Sequence, residues 1–170
     1  FFTVTVKTGA EDETLREDPL SPYAASKLAG EAYARAYAAS MGLETVSLRY
    51  FNIFGPRQNP DSPYSAVIPL FVRALARGVP PTIHGDGGQT RDFTFVANAV
   101  AANLAALDAP GASGGVFNVA CGERTSLLEM LAVLSDLVGV SIAPDHTPPR
   151  TGDIRDSVAS IDRARAALGY

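Results

Sequence analysis

Apolar and polar positions follow two different periods along this chain, and the two periods predict strands and helices in turn. Short apolar runs rich in β-branched and aromatic residues are typical of buried strands, and longer stretches with spaced apolar positions are typical of helices. The pattern predicts strands over residues 1–6, 44–51, 82–84, 90–95 and 116–120. It predicts helices over residues 22–41, 66–76, 97–107 and 127–138, with a short helix before Gly169. Loops are predicted over residues 7–20, 52–65 and 148–156. Strands that alternate with helices indicate an α/β fold with a mostly parallel sheet.

Several helix ends carry the residue types that local hydrogen bonding requires. Ser21-Pro22 opens the first helix, because serine is a good N-cap and proline fits the first helical position. Gly42 closes that helix, and Ser-Leu-Leu-Glu at 126–129 is a capping-box pattern for a later one. Glu31 and Arg35 stand four positions apart in the first helix, so we expect an ion pair on its surface.

Composition is typical of a soluble globular protein and argues against several functions. Of 170 residues, 46% are hydrophobic and 19% are charged, and the net charge is −4 with scattered basic residues. This distribution argues against a nucleic-acid groove or an anionic membrane surface. Cys121 stands alone and favours a reducing cytoplasm, and the distant His84 and His146 form no metal-ligand cluster. We therefore expect a cytoplasmic protein without a metal site.

Tyr23 and Lys27 are the first candidates for chemistry. They lie four positions apart at the start of a predicted helix, so both side chains project from one face. A lysine ammonium stabilises a neighbouring phenolate by its opposite charge, and such a tyrosine can act as acid or base on a hydroxyl. The spacing alone is common on helices, where tyrosines such as Tyr33 and Tyr37 simply pack, so the pair needs support from its surroundings.

Four ordered segments supply that support. They are Ser-Pro-Tyr-Ala-Ala-Ser-Lys-Leu-Ala-Gly-Glu at 21–31, Leu-Arg-Tyr-Phe-Asn-Ile-Phe-Gly-Pro-Arg-Gln at 48–58, Gly-Asp-Gly-Gly-Gln-Thr-Arg-Asp-Phe at 85–93 and Pro-Arg-Thr-Gly-Asp-Ile-Arg at 149–155. Together they resemble the extended short-chain dehydrogenase/reductase family, and within it the NAD-dependent nucleotide-sugar epimerases and dehydratases. The resemblance is closest to UDP-glucose and UDP-N-acetylglucosamine 4-epimerases, helped by Pro-Tyr-Ser-Ala-Val-Ile-Pro at 63–69.

The resemblance implies NAD as cofactor and assigns catalytic roles. Tyr23 would be the catalytic base, and Lys27 would be its partner and would also bind the nicotinamide ribose. Tyr50 would lie on the nicotinamide side. Thr5 could take the place of the family's catalytic Ser or Thr if Gly9 aligns with a family glycine, and a plain strand threonine is the alternative.

The resemblance also implies a substrate site. It assigns the diphosphate to Asn52, Arg91 and Arg150, the nucleotide base or its flanking sugar to Val67 and Ile68, the uracil to His84, and a ribose hydroxyl to Asp153. The planar fork of arginine fits a phosphate, which agrees with two of these roles. Each residue also has a structural alternative: a turn for Asn52, a half-buried strand position for His84, and a surface ion pair with Asp92 or Asp153 for the arginines.

The fold class implied is α/β, with the C-terminal strands and helices of an NAD-binding Rossmann-like parallel sheet plus a small α/β substrate-binding region. Residues 1–170 are expected to be one C-terminal fragment of an epimerase-like enzyme, with 1–55 and 90–120 in the Rossmann-like part and 56–89 and 121–170 mainly in the sugar-nucleotide-binding region. The sequence contains no Gly-x-x-Gly-x-x-Gly turn of the kind that holds the NAD pyrophosphate. We therefore expect the chain alone to hold NAD weakly.

These features predict NAD-dependent epimerisation at C4 of a UDP-sugar through a transient 4-keto intermediate, with the sugar itself left open. One alternative is a nucleotide-sugar dehydratase or decarboxylase, which shares the helix and the ketose. Another is a non-catalytic sugar-nucleotide-binding fragment. The alanine-rich helix at 22–40 is apolar around much of its circumference, so we also expect a homodimer that covers it.

Overall fold

The computed structural model describes residues 10–15, 18–19, 21–61, 67–150 and 154–170. The predicted strand at 1–6 lies outside these residues, as do Thr5 and Asp153. The helices are α1 (Pro22–Met41), α2 (Val67–Ala76), α3 (Val96–Asp108), α4 (Leu127–Val138) and α5 (Asp162–Leu168). The strands are β1 (Val46–Tyr50), β2 (Ile53–Phe54), β3 (Thr82–His84), β4 (Thr90–Arg91), β5 (Thr94–Phe95), β6 (Gly115–Val119), β7 (Thr125–Ser126) and β8 (Asp145–Thr147). Within the described ranges, no helix is long and apolar enough to span a bilayer.

The strands pair in a mostly parallel arrangement. β1 runs parallel to β6, β2 to β5 and β3 to β8, whereas β4 and β7 are antiparallel. α3 packs on β1 and β6, α5 packs on β6, and α1 contacts β1. Parallel strands with helices against them are typical of α/β folds, so the predicted fold class is confirmed.

The ends of α1 and α4 follow the sequence signals. Ser21 Oγ accepts a hydrogen bond from Ala24 N at 3.1 Å, and Gly42 ends α1 in the left-handed region with φ of 66°. At α4, Ser126 Oγ accepts from Glu129 N at 3.2 Å, and Glu129 Oε2 accepts from Ser126 N at 2.8 Å. Because these bonds join residues close in sequence, the sequence alone predicts both helix starts.

The single strand predicted at 90–95 is wrong, since two short strands, β4 and β5, occupy the stretch and pair with different partners. Asp92 lies between them and is fully buried, at 0% exposure. Its carboxylate accepts from the backbone N–H groups of Cys121 at 2.8 Å, Gly122 at 2.9 Å and Ala159 at 3.3 Å. Burial raises the pKa of Asp92, and these N–H groups lower it in part. The inward turn of Asp92 therefore separates the two strands.

Two of the groups of buried side chains hold the main helices and strands together. The first lies between α2, β3 and α4 and contains Phe71, Leu75, Ile83, Leu131 and Leu134. The second lies between β6, α5 and the end of α3 and contains Ala112, Phe117, Ala164 and Leu168. The first group holds α2 and α4 against β3, and the second packs against β6 of the β1–β6 pair.

A buried ion pair ties α1 to β1, and it replaces the predicted pairing of Glu31 with Arg35. Glu31 is 5% exposed and Arg49 is 9% exposed. Arg49 Nε donates to Glu31 Oε2 and Arg49 Nη2 donates to Glu31 Oε1, both at 2.8 Å. The two parallel bonds give the geometry in which a guanidinium binds a carboxylate most strongly. Glu31 lies eight residues after Tyr23, so the pair fixes α1 against the strand that ends at Tyr50.

Glu11 docks the segment before α1 onto the far end of the chain. Its backbone N donates to Val158 O at 2.7 Å, its backbone O accepts from Ser160 N at 2.8 Å, and the Asn118 side chain donates to the same oxygen at 2.9 Å. Its side chain is buried, and burial raises the pKa of the carboxyl to about 7, while a bond from Ser157 lowers it in part and the charge of Asp92 raises it further.

The raised pKa of Glu11 predicts a pH-dependent stability. The folded-state pKa lies above the unfolded value of 4.5, so the stabilisation is complete below pH 4.5 and is lost as the pH rises through about 7. Glu11→Gln is therefore expected to raise the free energy of unfolding at pH 8 by about 2–3 kcal/mol relative to the unsubstituted protein. Urea unfolding of both proteins at pH 4.5 and pH 8 measures the difference, and parallel pH profiles would contradict it.

Candidate active site

A cleft of about 640 Å³ lies between α2, β3 and β4 and carries most of the predicted substrate residues. Its polar lining residues are Asn52, Arg73, Arg77, Thr82, His84, Gln89, Arg91 and Arg150. Its apolar wall is the face of α2 that carries Val67, Leu70 and Ala74. Among the described residues, four arginines and no carboxylate line the cleft, so its charge suits an anionic ligand. Over the described ranges, no group of three His, Cys, Asp or Glu side chains could hold a metal ion.

Arg91 and Arg150 approach the cleft from different segments. Arg91 is half-buried on β4, opposite Thr125, and its Nη1 donates to the backbone O of Thr90 at 2.7 Å. Arg150 is exposed three residues after β8, and its side chain makes no hydrogen bond or ion pair with a described residue. The fold thus brings together two guanidinium groups that are about sixty positions apart in the sequence. Their joint role at a diphosphate stays a prediction.

The segments on either side of the Arg150 loop are fastened to the turn between β3 and β4. Arg155 Nη1 donates to Asp86 Oδ1 at 2.6 Å, and that hydrogen bond holds the pKa of Asp86 down at about 2. His146 Nδ1 lies 2.7 Å from Gly85 O. Thr90 Oγ1 donates to Asp156 Oδ1 at 2.8 Å. These contacts hold both ends of the segment that carries Arg150 beside the cleft.

Asn52 forms a turn, which is the structural alternative from the sequence, and it also lines the cleft. Its backbone lies in the left-handed region with φ of 34°, which asparagine tolerates better than most residues. Its Nδ2 donates to Asp92 O at 2.9 Å, and its own backbone O accepts from Thr94 N at 3.3 Å. Asn52 therefore joins β1 to the β4–β5 segment while its side chain lines the cleft.

His84 lies in the last position of β3 and lines the cleft half-buried. Its Nδ1 is 2.7 Å from Thr147 Oγ1 on the paired strand β8. This hydrogen bond fixes the plane of the imidazole. His84 is therefore a half-buried strand residue, as the structural alternative predicts, and it also lines the cleft.

Val67 and Ile68 do not face the same space. Val67 lines the arginine-rich cleft at the start of α2. Ile68 lines a separate apolar groove of about 500 Å³ with Phe54 and Phe95. Adjacent residues on a helix point about 100° apart, so the two side chains can face different spaces. The structure places Val67 and not Ile68 beside the other substrate candidates.

Tyr23 and Lys27 lie together on the first two turns of α1, outside the residues that line the cleft. Tyr23 is 43% exposed. Lys27 Nζ lies 5.2 Å from the centroid of the Tyr23 ring, so the ammonium and the phenol are neighbours on one exposed face. Ser26 Oγ donates to Tyr23 O at 2.7 Å within the same turn. A phenol beside an ammonium can exchange a proton with a hydroxyl group brought to that face.

Tyr50 points away from α1. Its hydroxyl accepts a hydrogen bond from Asn103 Nδ2 on α3 at 2.7 Å. The preceding residue, Arg49, reaches Glu31 on α1, and successive strand residues point to opposite faces. The Tyr50 side chain is therefore not brought together with Tyr23 and Lys27, and its cofactor role stays a prediction.

Sequence reasoning missed several residues of the cleft, namely Arg73, Arg77, Thr82 and Gln89. Arg73 forms an ion pair with Asp61, whereas the side chain of Arg77 has no ion pair or hydrogen bond with a described residue. Helical spacing could have found Arg77, the residue directly after α2, because it continues the spacing of three or four positions that Val67, Leu70 and Ala74 follow on one face of that helix. Gln89 lies within a segment that the sequence analysis singled out, but only its buried position draws attention to it.

Comparison with known proteins agrees with this architecture. Residues 5–120 match the NAD dependent epimerase/dehydratase family. The chain is 39% identical over 158 residues to a UDP-glucose 4-epimerase of Mycolicibacterium smegmatis, a match that covers 93% of this chain and 50% of that protein. The chain thus spans about half the length of such relatives.

Solved structures resemble this chain over nearly its whole length. The UDP-glucose 4-epimerase of Thermotoga maritima with UDP-glucose superposes with a TM-score of 0.93 at 34% identity and covers 99% of this chain and 54% of that one. The UDP-N-acetylglucosamine 4-epimerase of Methanobrevibacter ruminantium, in complex with UDP-N-acetylmuramic acid, gives a TM-score of 0.93 at 37% identity and covers 98% of this chain and 53% of that one.

Proposed function

Because this chain belongs to the NAD-dependent epimerase/dehydratase family, we propose that it forms the substrate-binding and proton-transfer part of a nucleotide-sugar 4-epimerase. The substrate is a UDP-sugar, and the reaction inverts C4 through a transient 4-ketose. The observation that carries the proposal is the cleft that four arginines line. The similar enzymes from Thermotoga maritima and Methanobrevibacter ruminantium were solved with UDP-linked ligands, which supports the choice of nucleotide.

The proposed binding mode assigns the residues that line the cleft to parts of a UDP-sugar. Arg91 and Arg150 bind the diphosphate through paired N–H···O bonds. His84 and Val67 also line the cleft, and they receive the uracil. Asn52, which is tied to the β4–β5 segment, contacts the diphosphate from the β1 side. The predicted contact of Asp153 with a ribose hydroxyl remains part of the proposal, because Asp153 lies outside the described residues.

The proposed chemistry uses Tyr23 and Lys27 at the exposed start of α1. Both side chains are polar, adjacent and accessible, so they fit the ribose and nicotinamide end of NAD. NAD, when bound, would supply the hydride acceptor and donor. The Tyr23 phenolate takes the proton of the C4 hydroxyl, and Lys27 stabilises the phenolate. After the sugar turns over in its pocket, Tyr23 returns the proton to the C4 oxygen.

The cores favour the proposed division of the chain into a Rossmann-like part and a sugar-nucleotide-binding part. The helices and strands around Phe71 and Leu131 form the wall of the cleft. The β1–β6 pair and α3 form the other part, and α5 packs against that pair as well. The cleft lies between the two parts, where a nucleotide-sugar would reach from one to the other.

Binding of UDP tests the proposed nucleotide site. We expect Arg91→Ala and Arg150→Ala each to weaken UDP binding to the intact enzyme about 10- to 100-fold, because each removes a charged hydrogen-bond donor from a phosphate. Calorimetric titration with UDP, TDP and GDP measures this, and UDP is expected to bind most tightly. Arg35→Ala, an exposed position on α1, is the matched control. Unchanged UDP affinity in Arg91→Ala would refute the arginine site.

We also propose that the intact enzyme is a homodimer. α1 exposes an apolar surface on which Tyr33 is 67%, Tyr37 46% and Met41 73% accessible. Large exposed side chains in one patch usually mark a surface that another molecule covers. Light scattering at micromolar concentration is expected to give twice the monomer mass, and a monomer mass would contradict the proposal.

A further inference from the structure

Asp92 is a buried acidic residue whose side chain binds two distant segments of the chain. It is 0% exposed and forms no ion pair with a described residue. Oδ1 accepts from Cys121 N at 2.8 Å, and Oδ2 accepts from Gly122 N at 2.9 Å and from Ala159 N at 3.3 Å. All three partners are donors, so both oxygens act as acceptors. Asp92 therefore ties its own segment to the turn after β6 and to the segment before α5.

The backbone of Asp92 orients the side chain of Asn52. Its carbonyl oxygen accepts from Asn52 Nδ2 at 2.9 Å. A carbonyl oxygen donates no hydrogen bond, so the nitrogen of the Asn52 amide must face Asp92. An amide nitrogen carries two donors, and the bond to Asp92 uses one of them. Because Asn52 lines the cleft, the second N–H can serve a ligand there.

The side chain of Asp92 also fixes the direction of Arg91. The two residues are neighbours at the end of β4, and adjacent side chains of an extended chain point to opposite sides. Asp92 is buried, and Arg91 lines the cleft. Since the carboxylate is held at both oxygens, the backbone cannot turn about its own axis without breaking these bonds. The guanidinium group therefore leaves the chain toward the cleft.

We propose that Asp92 is a positioning residue for the anion site of the cleft: it does not contact the ligand, and it holds Arg91 and Asn52 in the orientation that a diphosphate needs. This inference rests on the proposed function, because that function places the diphosphate at these two residues. A binding group displaced by about 1 Å can lose most of its effect. Loss of the Asp92 bonds therefore weakens binding although the arginine is still present.

Asp92→Asn in the intact enzyme tests this role. The variant keeps the size of the side chain, but either orientation of the amide directs its nitrogen at a backbone N–H, since both oxygens of Asp92 accept from such groups. We expect UDP binding to weaken about 10-fold and KM for the UDP-sugar to rise by a similar factor. The value of kcat is expected to fall less than about threefold, because Tyr23 and Lys27 lie on α1. Unchanged UDP affinity of the folded variant, measured by calorimetry, would overturn the proposal.

A double-mutant cycle with Arg91→Ala shows whether Asp92 acts through the arginine. The effect of Asp92→Asn on UDP affinity is expected to shrink to less than about threefold when position 91 is already alanine. Additive losses would overturn the positioning role. Leu168→Ala is the control for a merely structural effect, because this side chain is buried between β6 and α5. It is expected to lower stability in urea and to leave UDP affinity of the folded enzyme within about twofold.

Gly122→Ala keeps the test decisive if Asp92→Asn does not fold. Gly122 has φ of 76°, which alanine adopts only with strain, and an added Cβ would meet no atom nearer than 3.8 Å. The change therefore shifts one N–H that holds Asp92 without filling occupied space. We expect UDP affinity to fall about 2- to 5-fold, and this loss to disappear in the Arg91→Ala background. Unchanged affinity, or a loss that persists in that background, would overturn the proposal. Failure of the unsubstituted enzyme to bind UDP would instead overturn the proposed function, and with it this role of Asp92.

Discussion

Replacing Tyr23 by phenylalanine is expected to lower kcat of the intact enzyme about 10²- to 10⁴-fold, the range that a positioned general acid or base contributes. The substitution removes one oxygen from a side chain that is 43% exposed, so it leaves no buried cavity. The KM for the UDP-sugar is expected to change little, because the proposed diphosphate contacts lie on β4 and after β8. Steady-state kinetics with a UDP-sugar gives both values.

Tyr37→Phe is the matched control for this substitution. Tyr37 lies on the same helix and is 46% exposed, but it stands more than three turns from the start of α1. It is expected to keep kcat within about twofold, since the substitution keeps the aromatic ring in the proposed dimer surface and removes only a hydroxyl far from Tyr23. Turnover near the unsubstituted level in Tyr23→Phe would remove the tyrosine from the proposed mechanism.

Removing one partner of the Glu31–Arg49 pair is expected to cause the largest loss of stability. Both groups are buried and bound by two 2.8 Å hydrogen bonds, so Glu31→Ala leaves a buried guanidinium without its carboxylate. Breaking such a pair from one side costs about 3–5 kcal/mol. Urea unfolding measures the free energy. Because the pair fixes α1 against β1, the variant is also expected to lower turnover through displacement of Tyr23.

A double replacement distinguishes the contribution of the ion pair from the cost of leaving one buried charge without its partner. Glu31→Met combined with Arg49→Met removes both charges and fills similar volume, so we expect a smaller loss than in Glu31→Ala alone. Arg35→Ala, the residue that sequence spacing suggested as the partner of Glu31, is expected to change stability by less than about 0.5 kcal/mol. A loss in Glu31→Ala no larger than that in Arg35→Ala would show that the pair contributes nothing.

The parts of the fold that sequence predicts well depend on neighbours in the chain. α1 begins at Ser21-Pro22 and ends at Gly42, and α4 begins at Ser126, because their caps are made within four residues. The strand at 82–84 also agrees with β3. These elements have local causes, so one sequence contains the information needed to predict them.

The parts that sequence predicts poorly depend on distant contacts. Asp92 divides the predicted strand at 90–95 because it binds backbone groups near residues 121 and 159. Glu31 binds Arg49 rather than Arg35, since β1 brings a guanidinium to a buried position that helix spacing cannot reveal. β2, β4, β5 and β7 have two residues each, too few for any periodic pattern.

The candidate site also has features that the sequence predicts and features that depend on distant contacts. The resemblance pointed to Asn52, Val67, His84, Arg91 and Arg150, and the fold gathers all five at one cleft. It could not tell that Tyr50 faces α3, because that depends on which face of β1 the helix covers. Nor could it find Gln89, a buried cleft residue whose amide oxygen has no hydrogen-bond partner among the described residues.

The most direct test of the proposed function follows the hydrogen at C4. The intact enzyme is incubated with UDP-glucose or UDP-N-acetylglucosamine deuterated at C4, and the product is examined by NMR. Epimerisation through a transient 4-ketose predicts inversion at C4 with the deuterium retained and no net change in NAD. Loss of the C6 oxygen, release of carbon dioxide from a uronic acid substrate, or the absence of inversion with every UDP-sugar would contradict the account.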